Sequence, residues 1–196
     1  MFELLRNLLD GLAVSFDLPI LEWIAANLWC PFLDAVMPVI TLLGDAGIFW
    51  MAMAAVLLVF KKTRRVGLGM GFAMLMGLLL CNLTLKPLCQ RPRPYDYQYD
   101  VFGKLIPLLI DRQHDFSFPS GHTIASFEAA GVIVLNNKKW GIGALVLASL
   151  IAFSRLYLYV HYPTDVLVSI VLGVGLALLG NYLAHRIPNR YLLLEQ

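Results

Sequence analysis

Charge is scarce in this chain. Only 14% of its 196 residues are Asp, Glu, Lys or Arg, and 59% are hydrophobic, whereas a soluble domain carries roughly 25% charged residues. A mean hydropathy of +0.72 points the same way: a single all-α, polytopic membrane domain over residues 1–196. Cysteine is almost absent. Cys30, Cys81 and Cys89 make no even disulfide framework, and they read as small apolar membrane residues. Among the His, Cys and acidic residues no set has metal-ligand spacing, so neither a metal nor a cofactor is expected. The formal net charge of +2 gives no basis for nucleic-acid binding. There is no repeat or low-complexity tract. The first residues lack the basic region, long apolar run and small-residue cleavage site of a signal peptide.

Along residues 1–17, Glu3, Arg6, Asn7 and Asp10 recur at helical spacing. Leu4, Leu5, Leu8, Leu9 and Leu12 take the other face. This pattern predicts an amphipathic helix lying in the membrane interface. Six apolar segments follow, at 18–44, 48–60, 66–85, 123–135, 140–153 and 166–184, so the expected architecture is a bundle of about six transmembrane helices. The first segment carries Pro31 and Pro38 and reads as one kinked or broken helix. Asp45-Ala46-Gly47 is a turn signal. Lys86 precedes Pro87 and is expected at a helix exit. Residues 89–118 form the one long polar segment, in which Tyr95, Tyr97 and Tyr99 can anchor at headgroup level. Glu128, inside an apolar helix, is either a functional group or a hydrogen-bonding partner of a neighbouring helix.

Basic residues set the sidedness. Lys61, Lys62, Arg64, Arg65, Lys138, Lys139, Arg186 and Arg190 occupy one set of connections, which the positive-inside rule makes cytoplasmic. The opposite ends, facing the exterior or periplasm, then hold residues 86–118 and 155–165.

Those outer ends carry three polar clusters. One is Lys86 with Arg93. The second is Pro119-Ser120-Gly121-His122, whose proline suits a helix start. There the N–H groups of Ser120, Gly121 and His122 lack helical partners and offer an anion site, and Gly121 permits close approach. The third is Arg155, His161 and Asp165. Pro163 predicts a helix start, with His161 in the preceding loop and Asp165 in the first turn, able to reach back. An Asp facing a His fixes its tautomer and stabilises the imidazolium. A nucleophile, an orienter and cations for equatorial oxygens together make phosphoryl-transfer chemistry.

The motifs K-x6-RP at Lys86 to Arg93-Pro94, PSGH at 119–122 and SR-x5-H-x3-D at Ser154-Arg155, His161 and Asp165 resemble those of the type 2 phosphatidic acid phosphatase (PAP2) family. These are membrane lipid phosphatases that share a core site with vanadium haloperoxidases. The resemblance covers residues 61–185 and implies a six-helix bundle working through a phosphohistidine. His161 would be the nucleophile, Asp165 its partner and His122 the general acid. Lys86, Arg93, Ser120, Gly121 and Arg155 would bind phosphate. Arg91 adds either to the field of the site or to headgroup contact; His114 and His185 match no motif and read as surface residues. The short chain is similar to bacterial undecaprenyl pyrophosphate phosphatases of the inner membrane. The competing enzyme readings are a phosphatidylglycerophosphate or phosphatidic acid phosphatase and a lipid phosphotransferase. A proton-coupled transporter using Arg155, His161, Asp165 and Glu128 is the reading from another class, but it leaves PSGH and the Lys86/Arg93 pair without a task.

Overall fold

In a computed structural model of the protein, residues 8–192 are described, and their regular structure is helical throughout. Glu3, Arg6 and Asn7, which form most of the polar face expected of an interfacial helix over 1–17, lie outside the described residues. Residues 8–12 are helical and pass through a π-helical turn, Ala13–Asp17, into α1 (Leu18–Leu28). Leu9 is buried against Cys89 and Phe118, and Asp17 is wholly buried.

The kinked or broken helix expected over 18–44 is broken, into two helices. Cys30 is extended (φ −157°, ψ 155°) ahead of α2 (Pro31–Leu42), as a residue before proline prefers. Pro31 makes the break, and Pro38 stays inside α2. Tyr157 fixes the break: Trp29 Nε1 donates to its carbonyl at 3.1 Å, and its hydroxyl accepts from Cys30 N at 3.2 Å and donates to Asp34 Oδ1 at 2.6 Å. The predicted turn follows as Asp45–Gly47, where Ala46 and Gly47 take left-handed backbone (φ 46° and 67°).

The chain then continues into α3 (Ile48–Val59) and α4 (Arg64–Gly77). A π-helical stretch, Leu78–Leu85, joins α4 without interruption to α5 (Lys86–Cys89). Lys86 is therefore not at the helix exit. Its N–H bonds Cys81 O in the wider π register, which accommodates the ring of Pro87, and the helix ends at Gln90 in left-handed conformation (φ 47°). The polar segment contains α6 (Pro94–Phe102), which turn composition concealed.

Helices α7 (Gly121–Asn136), α8 (Lys138–Tyr157) and α9 (Pro163–Arg186) complete the bundle. Among the described residues, four helical runs are long and apolar enough to cross a membrane: Pro31–Val59, Arg64–Phe102, Lys138–Tyr157 and Pro163–Arg186. At about 1.5 Å per residue the 20 residues of α8 span roughly 30 Å, the thickness of the hydrocarbon core. The chain is thus an integral membrane protein.

Helix α7 runs through the middle, packed by α3, α4, α8 and α9. Ala129, Ala130 and Gly131 are small because neighbours press close; a Cβ on Gly131 would lie 2.6 Å from Ala177 Cβ. Trp50 Nε1 donates to Ser126 Oγ at 3.0 Å and ties α3 to α7. Helices α4 and α9 touch backbone to backbone, where a Cβ on Gly180 would meet Gly69 O at 2.6 Å, the close approach that small residues permit. At the basic end, Arg65 donates to Ala184 O and Ile187 O at 2.9 and 3.0 Å, a cation on the negative end of α9.

Candidate active site

The three clusters converge at the end of the bundle opposite Arg65. Lys86 opens α5. Arg93 caps α6, extended before Pro94 (ψ 155°). Gly121 and His122 open α7, Arg155 closes α8, and His161 precedes α9. A cavity of about 870 Å³ is lined at this end by Lys86, Arg93, Gly121, His122, Arg155 and His161. From there it continues as an apolar groove between α3 and α4, past Met51, Ala54, Leu58, Gly67, Gly71 and Met74.

His161 is 1% exposed. Its Nε2 lies 3.3 Å from Arg93 Nη1. Guanidinium only donates, so Nε2 presents its lone pair and the proton sits on Nδ1, which faces Asp165 Oδ2 at 3.5 Å. Burial, then Arg93, Arg155 and Lys86, hold the imidazolium well below its ordinary pKa. The ring is therefore neutral and nucleophilic. Asp165 sits in the first turn of α9 and reaches back to accept from Tyr162 N at 3.0 Å, as Pro163 predicted.

His122 is held neutral in the same way, pushed down to about 2 by burial and then by Arg155. Its Nε2 lies 3.3 Å from Arg155 Nη1, which also donates to Thr41 Oγ1 at 2.6 Å. The buried Arg155 Nε has no partner among the described residues and remains a donor for an anion.

The cradle at the start of α7 is narrower than the sequence implied. Ser120 N donates to Ser169 Oγ at 2.9 Å, and Ser120 Oγ accepts from Thr123 N at 3.4 Å and from Thr123 Oγ1 at 2.9 Å. Ser120 is fully buried; its Oγ accepts both capping bonds, and its own O–H is left to donate. The first-turn amides of Gly121 and His122 remain, where a helix supplies no acceptor. Gly121 is also close-packed: a Cβ there would lie 3.3 Å from Asn82 Oδ1.

Asp115 was not legible as a site residue. Its carboxylate pairs with Lys86 and Arg93, and its carbonyl accepts from Arg93 Nε at 2.9 Å. Burial raises its pKa, but the hydrogen bonds and charges of Lys86 and Arg93 outweigh that and hold it well below the carboxylate range. Arg91, whose place the sequence left open, does not line the cavity. It is 1% exposed and bonds Asp165 and Asp17. His114 is exposed at the cavity mouth, and His185 is exposed toward the far end of α9. Glu128 lines the groove, buried against Gly77, and its Oε1 has no partner among the described residues. Of the cysteines, Cys81 and Cys89 are buried and Cys30 is exposed.

A profile of the PAP2 superfamily matches residues 66–188. Over 132 residues the chain is 30% identical to an undecaprenyl-diphosphatase of Sulfolobus acidocaldarius, covering 67% of this chain and 61% of that one. It thus spans about three-fifths of that relative's length. Among solved structures, Aquifex aeolicus LpxE superposes with a TM-score of 0.71 at 26% identity, over 84% of this chain and 93% of that one. A transmembrane PAP2-type phosphatidylglycerolphosphate phosphatase of Bacillus subtilis superposes with a TM-score of 0.69 at 28% identity, over 95% and 94%. Every residue of the three polar clusters falls inside the profile match, and with it the chain belongs to the PAP2 superfamily.

Proposed function

We propose that this protein is a membrane lipid phosphatase that hydrolyses an isoprenoid phosphate, undecaprenyl pyrophosphate in first place, at the outer face of a bacterial inner membrane. The carrying observation is one continuous cavity with cations and two neutral imidazoles at its polar end and an apolar groove between α3 and α4 at its other end. That shape fits an amphiphile whose phosphate meets the cluster while its tail stays at membrane depth.

In this reading, Lys86, Arg93, Arg155 and the Gly121 and His122 amides bind the phosphoryl oxygens. His161 Nε2 attacks phosphorus, the bond to the leaving oxygen breaks, and His122 relays to this oxygen the proton that a monoanionic substrate brings with it. Water, deprotonated by His122, then cleaves the phosphohistidine. Ser120 joins the phosphate-binding groups through its hydroxyl proton and also caps the first turn of α7. Residues 1–196 act as one unit. The outer orientation is supported by the position of Arg155, about 26 Å of helix from Lys138 at opposite ends of α8.

The phosphatidylglycerophosphate reading is second, supported by the likeness to the Bacillus subtilis structure over nearly all of both chains. Phosphate release from a panel of undecaprenyl pyrophosphate, phosphatidylglycerophosphate and phosphatidic acid in detergent separates the two. The highest kcat/KM is expected for the isoprenoid; preference for a glycerolipid reverses the order. Rapid quenching should trap an acid-labile, base-stable phosphoryl adduct that is missing in His161→Ala.

A further inference from the structure

We infer that Asp17 and Arg91 are positioning residues of the reaction: through Arg91, the N-terminal segment sets the charge that Asp165 presents to His161. The inference rests on reading His161 as the nucleophile.

The Asp165 carboxylate is wholly buried, and His161 is not its first partner. Oδ1 accepts from Arg91 Nη1 at 2.5 Å. Oδ2 accepts from Ser117 Oγ at 2.5 Å and Tyr162 N at 3.0 Å, while His161 Nδ1 stands off at 3.5 Å. Arg91 is held from its other side. Its Nη2 donates to Asp17 Oδ2 at 2.7 Å and Leu9 O at 2.9 Å, its Nη1 also reaches Thr164 Oγ1 at 2.8 Å, and its guanidinium lies 3.7 Å above the Tyr162 ring. Asp17 accepts from Thr164 N at 2.8 Å and Thr164 Oγ1 at 2.7 Å. The result is a line Asp17, Arg91, Asp165, His161, each at most 1% exposed. Neither Asp17 nor Arg91 lines the cavity.

Buried charge is costly unless compensated. Asp17, Arg91 and Asp165 together carry one net negative charge. When His161 Nε2 forms its bond to phosphorus and keeps the proton on Nδ1, the ring becomes cationic and the line becomes neutral and alternating in sign. The cluster is thus electrostatically complete in the phosphohistidine and incomplete in the resting enzyme, which favours the intermediate. Asp17 supplies the net charge. Without it, the guanidinium acts on Asp165 alone and weakens the hold of that carboxylate on the imidazolium. A fastener for the N-terminal segment would need the same hydrogen bonds but not this sign pattern, so charge-changing variants separate the two roles.

The test measures kcat, KM, orthovanadate inhibition and melting temperature in detergent for Asp17→Asn, Arg91→Lys, Arg91→Gln and Asp17→Asn/Arg91→Gln. Asp17→Asn is expected to lose about tenfold in kcat, as for a neighbouring-charge effect of one pKa unit, with KM unchanged, the folded fraction intact and vanadate inhibition weakened to a similar degree, because vanadate bonded to His161 Nε2 draws on the same charge. Arg91→Gln leaves two carboxylates facing each other and should lose more. The double variant should recover part of that loss, because the second charge is gone. Arg91→Lys keeps the charge without the fork and should fall between wild type and Arg91→Gln. Wild-type kcat in Asp17→Asn overturns the inference, and so does a double variant no better than Arg91→Gln. So does loss of kcat and vanadate binding together in step with the unfolded fraction. If Arg91→Gln does not fold, Asp17→Asn alone decides. His161→Ala and Asp165→Asn run alongside: turnover surviving in them overturns the phosphohistidine reading itself, whereas inactive controls beside an unaffected Asp17→Asn overturn only this inference.

Discussion

Nε2 of His122 lies 3.3 Å from Nη1 of Arg155, so the resting imidazole shows its lone pair to a cation and carries no positive charge. Burial and then Arg155 push its pKa down to about 2. The proton for the leaving oxygen therefore arrives with the substrate, as its monoanion. Phosphate monoesters lose that proton near pH ~6, so kcat/KM for a lipid monophosphate is expected to fall about tenfold per unit above that pH. No acid limb near the ordinary histidine range is expected, because His161 is also held neutral. A flat kcat/KM profile from pH 5 to 8 contradicts this.

The two histidines should fail differently. His161→Ala removes the attacking atom and should abolish turnover of every substrate. His122→Ala should cost about 10²–10⁴-fold on a lipid monophosphate. It should cost less on p-nitrophenyl phosphate, whose leaving group is stable as an anion, and should leave a burst of nitrophenolate before a slow phase. Equal losses on both substrates with no burst would mean that His122 does not move the proton.

Asp115 holds the two cations that phosphate needs. Its carboxylate stays ionised far into acid and competes with the substrate across the working range. In Asp115→Asn, KM and the vanadate inhibition constant should each fall about two- to fivefold, the scale of a half-exposed ion pair. Weaker vanadate binding would show instead that Asp115 orients the cations.

Turnover should be unaffected by chelators, since Lys86, Arg93 and Arg155 occupy the role that magnesium plays in other phosphoryl transfers. Loss of activity in chelator, restored by a divalent metal, is the contrary result.

Sidedness can be read at the exposed Asp111. A cysteine there, in a background without Cys30, Cys81 and Cys89, should react with an impermeant thiol reagent in spheroplasts. Labelling only after lysis reverses the topology.

Gly141 and Gly143 lie two residues apart on α8 but face different surroundings. A Cβ on Gly141 would sit 2.2 Å from Val134 Cα, and one on Gly143 meets nothing within 4 Å. Gly141→Ala should destabilise by about 1–3 kcal/mol through overpacking. Gly143→Ala should be neutral or stabilising by up to about 1 kcal/mol. Melting in detergent compares them directly.

What the sequence disclosed was local. Pro163 marked a helix start and placed Asp165 where it reaches back to Tyr162 N, because proline and first-turn geometry act within a few residues. That Lys86, Arg93, His122, Arg155 and His161 belong to one site was implied by the resemblance of their motifs to those of the PAP2 family. What stayed hidden spans the chain. Arg91 meets Asp17 and Asp165 across 74 residues each way, and Asp115 finds Lys86 across 29; no periodicity encodes such pairings. The second task of Ser120 was hidden too: its hydroxyl caps the first turn of α7 and its amide donates to Ser169, a residue 49 positions away. The π-helical stretch over Leu78–Leu85 was invisible because its apolar residues suit any helical register.

Helix α4 has two unlike faces. Through Gly69 and Ala73 it lies backbone to backbone on Gly180 of α9, with no side chain between them to rearrange. Through Gly67 and Gly71 it borders the groove. A wall seated that tightly has little freedom, so breathing of the groove falls to the opposite wall. Helix α3 follows the left-handed pair Ala46-Gly47, meets α4 where a Cβ on Gly67 would lie 2.7 Å from Ala54 O, and is tied to α7 by the bond from Trp50 to Ser126. Widening of the groove therefore requires α3 to part from α4 at Ala54 and to stretch its Trp50 bond to α7, while α4 and α9 stay together.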